Sequence, residues 1–344
     1  MVCGAWIAGC GGSHADTVVD ASSIDAISID ATSIDGPEID AATPPLPPSC
    51  VGLPATCGAG RNESCCTSPL IPGGTFDRSY DLAGLGAKGE FPATVSGFRL
   101  DKYEVSVGRF RAFVRAAQGT QVHPPAAGAG AHANIPGSGW HSAWDGELVT
   151  SSTVLQGQLG CNSVSQTWTE QPGENEDRPI SCVSWYEAMA FCAWDGGYLP
   201  TEAEWNYAAA GGNEQRAFPW SFPASSLVVD GMHASYDDGM GCVGNGLPDC
   251  VTTDLVVVGS KPLGDGRWGQ SDLAGNVFEW TLDTFAEPYA GGGTDYANLD
   301  AGDRVFRGGC FVTDVHSMRT GDRTFSRPPS NRFPTVGVRC ARAP

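Results

Sequence analysis

Thirteen cysteines constrain this chain of 344 residues more than any other feature of its sequence. No two of them have the Cys-x-x-Cys spacing, and none lies near a histidine with the spacing of a zinc site. Cysteines in this number and without metal-ligand spacing favour several disulfides and an oxidising compartment.

The composition favours a fold dominated by loops and turns, because the chain has 46 glycines and 24 prolines. Ten tryptophans supply apolar anchors that can hold such loops on a core. The formal net charge of −19 repels nucleic acids and anionic lipids, so nucleic acid is excluded as a partner. The acidity is compatible with calcium binding but does not demonstrate it.

The first ten residues end in Ile7-Ala8-Gly9-Cys10, which is similar to a bacterial lipobox. They contain no lysine or arginine, so residues 1–10 are interpreted as the remnant of a signal segment. Cys10 is then the predicted lipidation site, and the lipid is the predicted attachment to a membrane. The predicted location is the bacterial cell envelope, as a secreted lipoprotein of the periplasm or outer-membrane surface. The sequence has no run of about 20 apolar residues that would span a membrane.

Two segments precede the folded domain. Residues 11–49 are predicted to be a disordered linker, because aspartate recurs every five residues over 20–40 and a proline-rich stretch follows. Residues 50–67 form a cysteine-rich collar in which two local disulfides are expected, with the pairing undetermined. Cys65 and Cys66 are adjacent and cannot easily bond each other, so each is expected to pair elsewhere.

Residues 68–344 are predicted to form one α+β domain with little regular secondary structure. Residues 95–103 alternate apolar and polar side chains, as in a half-buried strand. A helical pattern follows Ser106. Two further helices begin with capping boxes, in which a hydroxyl and a glutamate three residues later satisfy free backbone N–H groups; these are Ser184 with Glu187, and Thr201 with Glu204.

Several segments, in order along the chain, resemble the sulfatase-modifying-factor, or formylglycine-generating-enzyme, family. They are PGGTFDRSY (72–80), GFRLDKYEVSVGRFRAFV (97–114), the segment 178–212 that contains LPTEAEW, SDLAGNVFEW (271–280), RVFRGGC (304–310) and VGVRCAR (336–342). The resemblance covers roughly residues 68–342. It implies a single compact α+β domain of the C-type-lectin-like type.

The resemblance also locates the family's catalytic cysteines. In active members two cysteines follow a Gly-Gly-Ser turn, bind copper(I), activate oxygen and convert a substrate cysteine to formylglycine. Counted without gaps from Gly308-Gly309, the serine position is Cys310 and the two cysteine positions are Thr313 and Met318. A hydroxyl is a poor copper(I) ligand, and a thioether is weaker than a thiolate. Copper is therefore not expected as a cofactor, and the usual oxidase mechanism is doubtful.

Disulfide pairing follows partly from the resemblance, which places Cys192 and Cys340 at the positions of a family disulfide. The remaining candidate pairs are Cys242 with Cys250, which flank a turn-rich loop, and Cys161 with Cys182. With Cys3 and Cys10 set aside, eleven cysteines remain. One is therefore left over, and it is Cys310 if the collar pairs internally.

The loop DLAGNVFE resembles a calcium site of the family. There Asp272 and Glu279 would supply carboxylates, and Gly275 and Val277 would supply backbone carbonyls. Hard oxygen ligands from a tight loop suit calcium. The alternative is that the two acidic residues only cap local turns. We expect a structural calcium ion.

Two functions remain open. The first is a non-catalytic binding or structural module with an unidentified protein or glycan ligand. Its ligand surface is expected in the loops 118–160 and 221–259, with the aromatic residues Trp140, Trp220 and Phe311. The second is a divergent oxidase, dependent on copper or on Cys310 and acting on a protein cysteine, with His316 assisting. The missing thiols favour the first function.

Overall fold

The computed structural model describes residues 46–81 and 91–344. The predicted lipidation site at Cys10 and the linker up to residue 45 lie outside the described residues. Within the described part of the chain, no helix is long and apolar enough to cross a membrane.

The α-helices begin where the sequence predicts them. Ser106 caps α1 by accepting a hydrogen bond from the Arg109 N–H, and both predicted capping boxes are present at α3 and α4. The α-helices of the described residues are α1 (Val107–Arg115), α2 (Ser152–Gln158), α3 (Trp185–Trp194) and α4 (Glu202–Ala209). Every residue of α4 is buried, so this helix lies inside the domain rather than on its surface.

The strands are short and form three small sheets in the described residues. Their bounds are β1 Leu70–Ile71, β2 Gly74–Asp77, β3 Pro92–Val95, β4 Phe98–Leu100, β5 Phe278–Thr284, β6 Gly293–Thr294, β7 Arg304–Arg307, β8 Ser326–Arg327, β9 Val336–Gly337 and β10 Ala341–Arg342. The sheet orders are β1-β4-β10, β2-β3-β6 and β8-β7-β5-β9. Strand β5 is antiparallel to β7 and parallel to β9.

The continuous strand predicted over 95–103 is wrong in its extent. Strand β3 ends at Val95, and β4 covers only Phe98–Leu100. Between them, the Ser96 N–H and hydroxyl both donate to the Asp295 carboxylate, at 2.7 and 2.6 Å. This interaction replaces the strand ladder at that point. The predicted fold class, a compact α+β domain with little regular structure, is confirmed.

Buried tryptophans join the helices to the central sheet. The Trp185 indole N–H donates to the Thr281 carbonyl at 2.8 Å, and the Trp280 indole N–H donates to the Val183 carbonyl at 3.1 Å. All seven residues of β5 are buried, so this strand is the centre of the core. Strand β7 pairs with β5, so the segment that follows β7 begins at the centre of the core.

Five disulfides cross-link the described residues, and the predicted pairs are present. They are Cys50–Cys66, Cys57–Cys65, Cys161–Cys182, Cys192–Cys340 and Cys242–Cys250. The collar therefore pairs internally. Among the cysteines of the described ranges, Cys310 is the free one, as the count predicts for this case.

Candidate functional site

The segment after β7 places the three positions that correspond to the family's active site. Gly308 and Gly309 both have left-handed backbone conformations, with φ of 101° and 72°. The next turn is closed by Thr313, whose hydroxyl accepts from the Cys310 N–H at 2.9 Å and donates to the Cys310 carbonyl at 3.0 Å. Met318 is fully buried and packs beside Ala217 and Phe218. Both cysteine positions are thus occupied by side chains that serve local structure.

Cys310 is enclosed by the core, with 1% of its surface exposed. Burial raises the pKa of its thiol to about 12, although hydrogen bonds with Val312, Thr313 and Thr335 act in the opposite direction. Only the thiolate is nucleophilic or a good metal ligand, and it is scarce at neutral pH with such a pKa. His316, by contrast, is exposed. This geometry disfavours the predicted role of Cys310 as a reactive thiol.

Ion pairs fix the rest of this segment. Glu202 of α4 accepts from Arg307 at 2.7 Å and from Arg323 at 3.0 Å, and all three side chains are buried. Arg319 donates to Asp81 at 2.9 Å. Buried carboxylates between guanidinium groups hold backbone segments in one arrangement as long as the pairing is complete. Arg319 and Arg323 therefore act as structural groups here.

The predicted calcium loop is a tight turn that leads into β5. Asp272, Gly275 and Asn276 all have left-handed backbone conformations, with φ of 60°, 85° and 60°. A Cβ atom at Gly275 would lie 2.4 Å from the carbonyl oxygen of Ser235, so only glycine fits at that point. The turn brings the buried carboxylates of Asp272 and Glu279 close enough that, besides burial, the charge of Glu279 contributes to raising the pKa of Asp272.

A third buried carboxylate, Glu104, joins them. It accepts from the Asn276 side-chain amide at 2.6 Å and from the Val277 N–H at 3.2 Å. Glu279 accepts from Arg339 at 2.6 Å and from the Trp205 indole at 2.8 Å. Glu104 was not identified from the sequence; the one available signal is an acidic residue between the buried apolar residues Tyr103 and Val105, which precede α1.

This carboxylate cluster, which we define as Glu104, Asp272 and Glu279, is short of positive charge. Burial raises the pKa of Asp272 to about 6 and raises the pKa of Glu104 well above its usual range, with the neighbouring carboxylates adding to the effect at Glu104. The Arg339 guanidinium, which is 0% exposed, is the cation that contacts the cluster. Three carboxylates with one guanidinium fit an additional cation with hard-ligand preference.

The carboxylate cluster offers hard oxygen ligands, but it is not a preformed metal centre made of side chains. Among the described residues, the one set of three His, Cys, Asp or Glu ligand atoms within 4.8 Å of one another is Cys57, Cys65 and Asp177. Its two cysteines form a disulfide, so that set is no metal site. The carboxylate cluster is not such a set, so its three carboxylates do not all lie within 4.8 Å of one another.

The predicted ligand surface on the loops is wrong for two of its three aromatic residues. Trp140 and Phe311 are 1% and 0% exposed and belong to the core, because large aromatic side chains anchor these loops. Trp220 is half-buried and stacks on Phe218 with ring centroids 5.1 Å apart. The large apolar side chains that the loop 221–259 exposes are Phe222, Leu227, Val228, Met232, Met240 and Leu247.

Comparisons with known proteins identify the same family as the sequence motifs. The family model of the sulfatase-modifying factor enzyme 1-like domain matches residues 56–344. The formylglycine-generating enzyme of Streptomyces coelicolor is 30% identical over 308 residues, covering 82% of this chain and 91% of the relative. The inactive Cα-formylglycine-generating enzyme 2 of Mus musculus is 28% identical over 304 residues, covering 79% of this chain and 84% of the relative. PvdO from Pseudomonas aeruginosa is similar in fold, with a TM-score of 0.53, 20% identity and coverage of 80% and 93%.

Proposed function

Because the chain belongs to the sulfatase-modifying factor enzyme 1-like domain family, we propose that it uses this fold as a non-catalytic binding or structural module. The observation that carries the proposal is the identity of residues 313 and 318. Thr313 closes a turn on Cys310, and Met318 fills the core, so neither position offers a thiolate. Without a thiolate pair, the chain lacks the strong soft ligands that copper(I) binding requires at this place, since the Met318 thioether is buried and weaker than a thiolate.

The competing function is a divergent oxidase that acts on a protein cysteine through Cys310. Its nucleophile would have to be a thiol that is 1% exposed and has a pKa near 12. Activated cysteines are instead partly exposed and have lowered pKa values. The burial of Cys310 therefore supports the non-catalytic function.

Copper(I) binding separates the two functions. We expect the wild-type chain and Cys310→Ser to compete equally poorly with a chromogenic copper(I) chelator, because neither presents a thiolate to the ion. The paired change Thr313→Cys and Met318→Cys is the matched gain-of-function variant, with affinity expected to rise by about tenfold or more. One-to-one binding by the wild type that Cys310→Ser abolishes would overturn the proposal, and oxygen-dependent oxidation of a cysteine peptide would do so as well.

Calcium is proposed as the structural ion of this module. Asp272 and Glu279 would hold it with their carboxylates, and Gly275 and Val277 with their carbonyls. What supports it is the excess of buried negative charge beside Arg339, to which Glu104 contributes. A bound divalent cation would offset that charge and stabilise the folded state, because it binds the folded chain and not the unfolded one.

The module is further proposed to be displayed on the bacterial envelope by a lipid on Cys10. The five disulfides of the described domain support an oxidising compartment. In a bacterial host fed an alkyne fatty acid, we expect the wild type to be labelled and recovered with membranes. Cys10→Ser should lose both properties. Unlabelled wild-type protein in the soluble fraction would contradict the lipid anchor.

A further inference from the structure

A cavity of about 260 Å³ lies between the start of β2 and the helix α4. Residues 72–75 form one wall, and Tyr207, Asn213, Arg267 and Trp268 form the other. Cavities that accept drug-sized molecules are generally larger, about 300–1,000 Å³, so this one is suited to a single ring. It is separate from the segment 310–323 that corresponds to the family's active site.

The hydroxyl of Tyr207 is available to a ligand in this cavity. The residue is 6% exposed and lines the cavity, and among the described residues no hydrogen bond involves its hydroxyl. Two other buried tyrosines use their hydroxyls inside the domain: Tyr198 donates to Glu204 at 2.7 Å, and Tyr103 donates to Glu63 at 2.8 Å. The Tyr207 hydroxyl can therefore exchange a hydrogen bond with solvent for one with a ligand, at no cost to an intramolecular bond.

Gly74 allows that hydroxyl to occupy its position in the cavity wall. A Cβ atom at this position would lie 2.4 Å from the Tyr207 hydroxyl oxygen. The backbone of Gly74 is an ordinary strand that pairs with Val95, so conformation alone does not require glycine here. The hydroxyl packs directly against the Gly74 backbone, so any larger residue at this position would displace it from its place in the cavity wall.

The aromatic wall is a stack with a cation beside it. The rings of Tyr207 and Trp268 are stacked with centroids 5.4 Å apart, and the Arg267 guanidinium lies 5.2 Å from the Trp268 centroid. Arg267 is the one charged residue among those that line the cavity. Its nearest carboxylate, Glu214 at 3.3 Å, is shared with Arg216 at 2.6 Å. The wall is therefore locally positive on a chain whose net charge is −19.

We infer that this cavity binds a hexuronic acid residue of an acidic glycan. The sugar ring packs on the aromatic edge, its hydroxyls pair with Tyr207 and Asn213, and its carboxylate pairs with Arg267. Aromatic surface with a few placed polar groups is the usual composition of a small-ligand site. The inference names the ligand class of the proposed binding module and rests on that function.

The test is a titration of the full chain with D-glucuronate and D-galacturonate, monitored by saturation-transfer NMR. D-glucose and D-galactose serve as neutral probes of the same shape. The uronates should bind, and the neutral sugars should bind at least about tenfold more weakly, because they lack the charge-assisted hydrogen bond to Arg267. Arg267→Gln should remove this preference.

Two variants test the cavity itself. Gly74→Ala should weaken uronate binding at least about tenfold, since its methyl group would lie 2.4 Å from the Tyr207 hydroxyl oxygen and would force that hydroxyl to move. Gly157→Ala is the matched control, because a Cβ there meets nothing within 4 Å and the site is exposed, so binding should be unchanged. Tyr207→Phe should weaken binding without lowering the unfolding temperature, because no intramolecular hydrogen bond is lost.

Three results would overturn the inference: no uronate binding by the wild type, equal binding of neutral sugars, or uronate binding that persists in folded Gly74→Ala and Arg267→Gln. Each differs from the result that would contradict the non-catalytic function, which is copper(I) binding at the segment 310–323. If no sugar binds and copper(I) binding is poor, only the proposed ligand class is contradicted, and the non-catalytic function stands.

Discussion

Replacing Arg339 with methionine is expected to lower the free energy of unfolding by about 3–5 kcal/mol. The guanidinium is 0% exposed and donates to Glu279 at 2.6 Å. It also donates to three backbone carbonyls, those of Asp101, Lys102 and Ser271. Its loss leaves the buried carboxylate cluster without its contacting cation. Breaking such pairing from one side is strongly destabilising, because the remaining charges stay buried.

The measurement is denaturant unfolding in saturating calcium and in a calcium chelator. A site filled to 100 times its dissociation constant adds about 2.7 kcal/mol to the stability of the wild type. We expect a larger difference between the two conditions in Arg339→Met, because calcium then becomes the main offset to the cluster's negative charge.

The control is Arg61→Met, which removes the ion pair between Arg61 and Asp177. The Arg61 side chain is 56% exposed. Exposed pairs contribute about 1 kcal/mol or less, so this variant should be nearly neutral. A cost at Arg339 no greater than that at Arg61 would contradict the electrostatic account. Identical stability in calcium and chelator, for both the wild type and Arg339→Met, would contradict the calcium proposal.

Local signals in the sequence predicted the helix starts correctly. A capping box needs only a hydroxyl and a glutamate three residues apart, so Ser184 and Thr201 identified α3 and α4 without tertiary information. The strand over 95–103 failed because its interruption depends on Asp295, which is distant in sequence. Alternation of side chains carries no information about such a partner.

The same distinction separates the parts of the site. The absence of the cysteine pair could be predicted from the sequence, because it depends only on which residues stand at a fixed spacing from Gly308-Gly309. The third carboxylate, Glu104, was not readable, because the turn at 272–277 brings it into the cluster through Asn276. The burial of Trp140 and Phe311 was also missed, since loop residues show no periodicity that distinguishes an anchor from a ligand surface.

Removal of the Cys192–Cys340 disulfide, by alanine at both positions, is expected to destabilise the fold by about 4–5 kcal/mol. The two cysteines are 148 residues apart and join α3 to the residue before β10. In the chain-entropy model, a bridge that closes a long loop removes more freedom from the unfolded chain than a bridge that closes a short one. Both cysteines are also fully buried, so the lost sulfur atoms weaken core packing.

The disulfide Cys242–Cys250 is the matched control, with a sequence separation of 8 and one fully buried cysteine, Cys242. Alanine at both of its positions should cost only about 2–3 kcal/mol, because the short loop restricts the unfolded chain less. Denaturant unfolding of both double variants under non-reducing conditions measures the difference. Equal costs would mean that loop length does not govern these bridges, and that native-state packing around each pair decides its contribution. A larger cost for the long-range bridge is the expected result, because its loop is longer and both of its cysteines are buried, and it fits a domain whose strands are mostly two to four residues long.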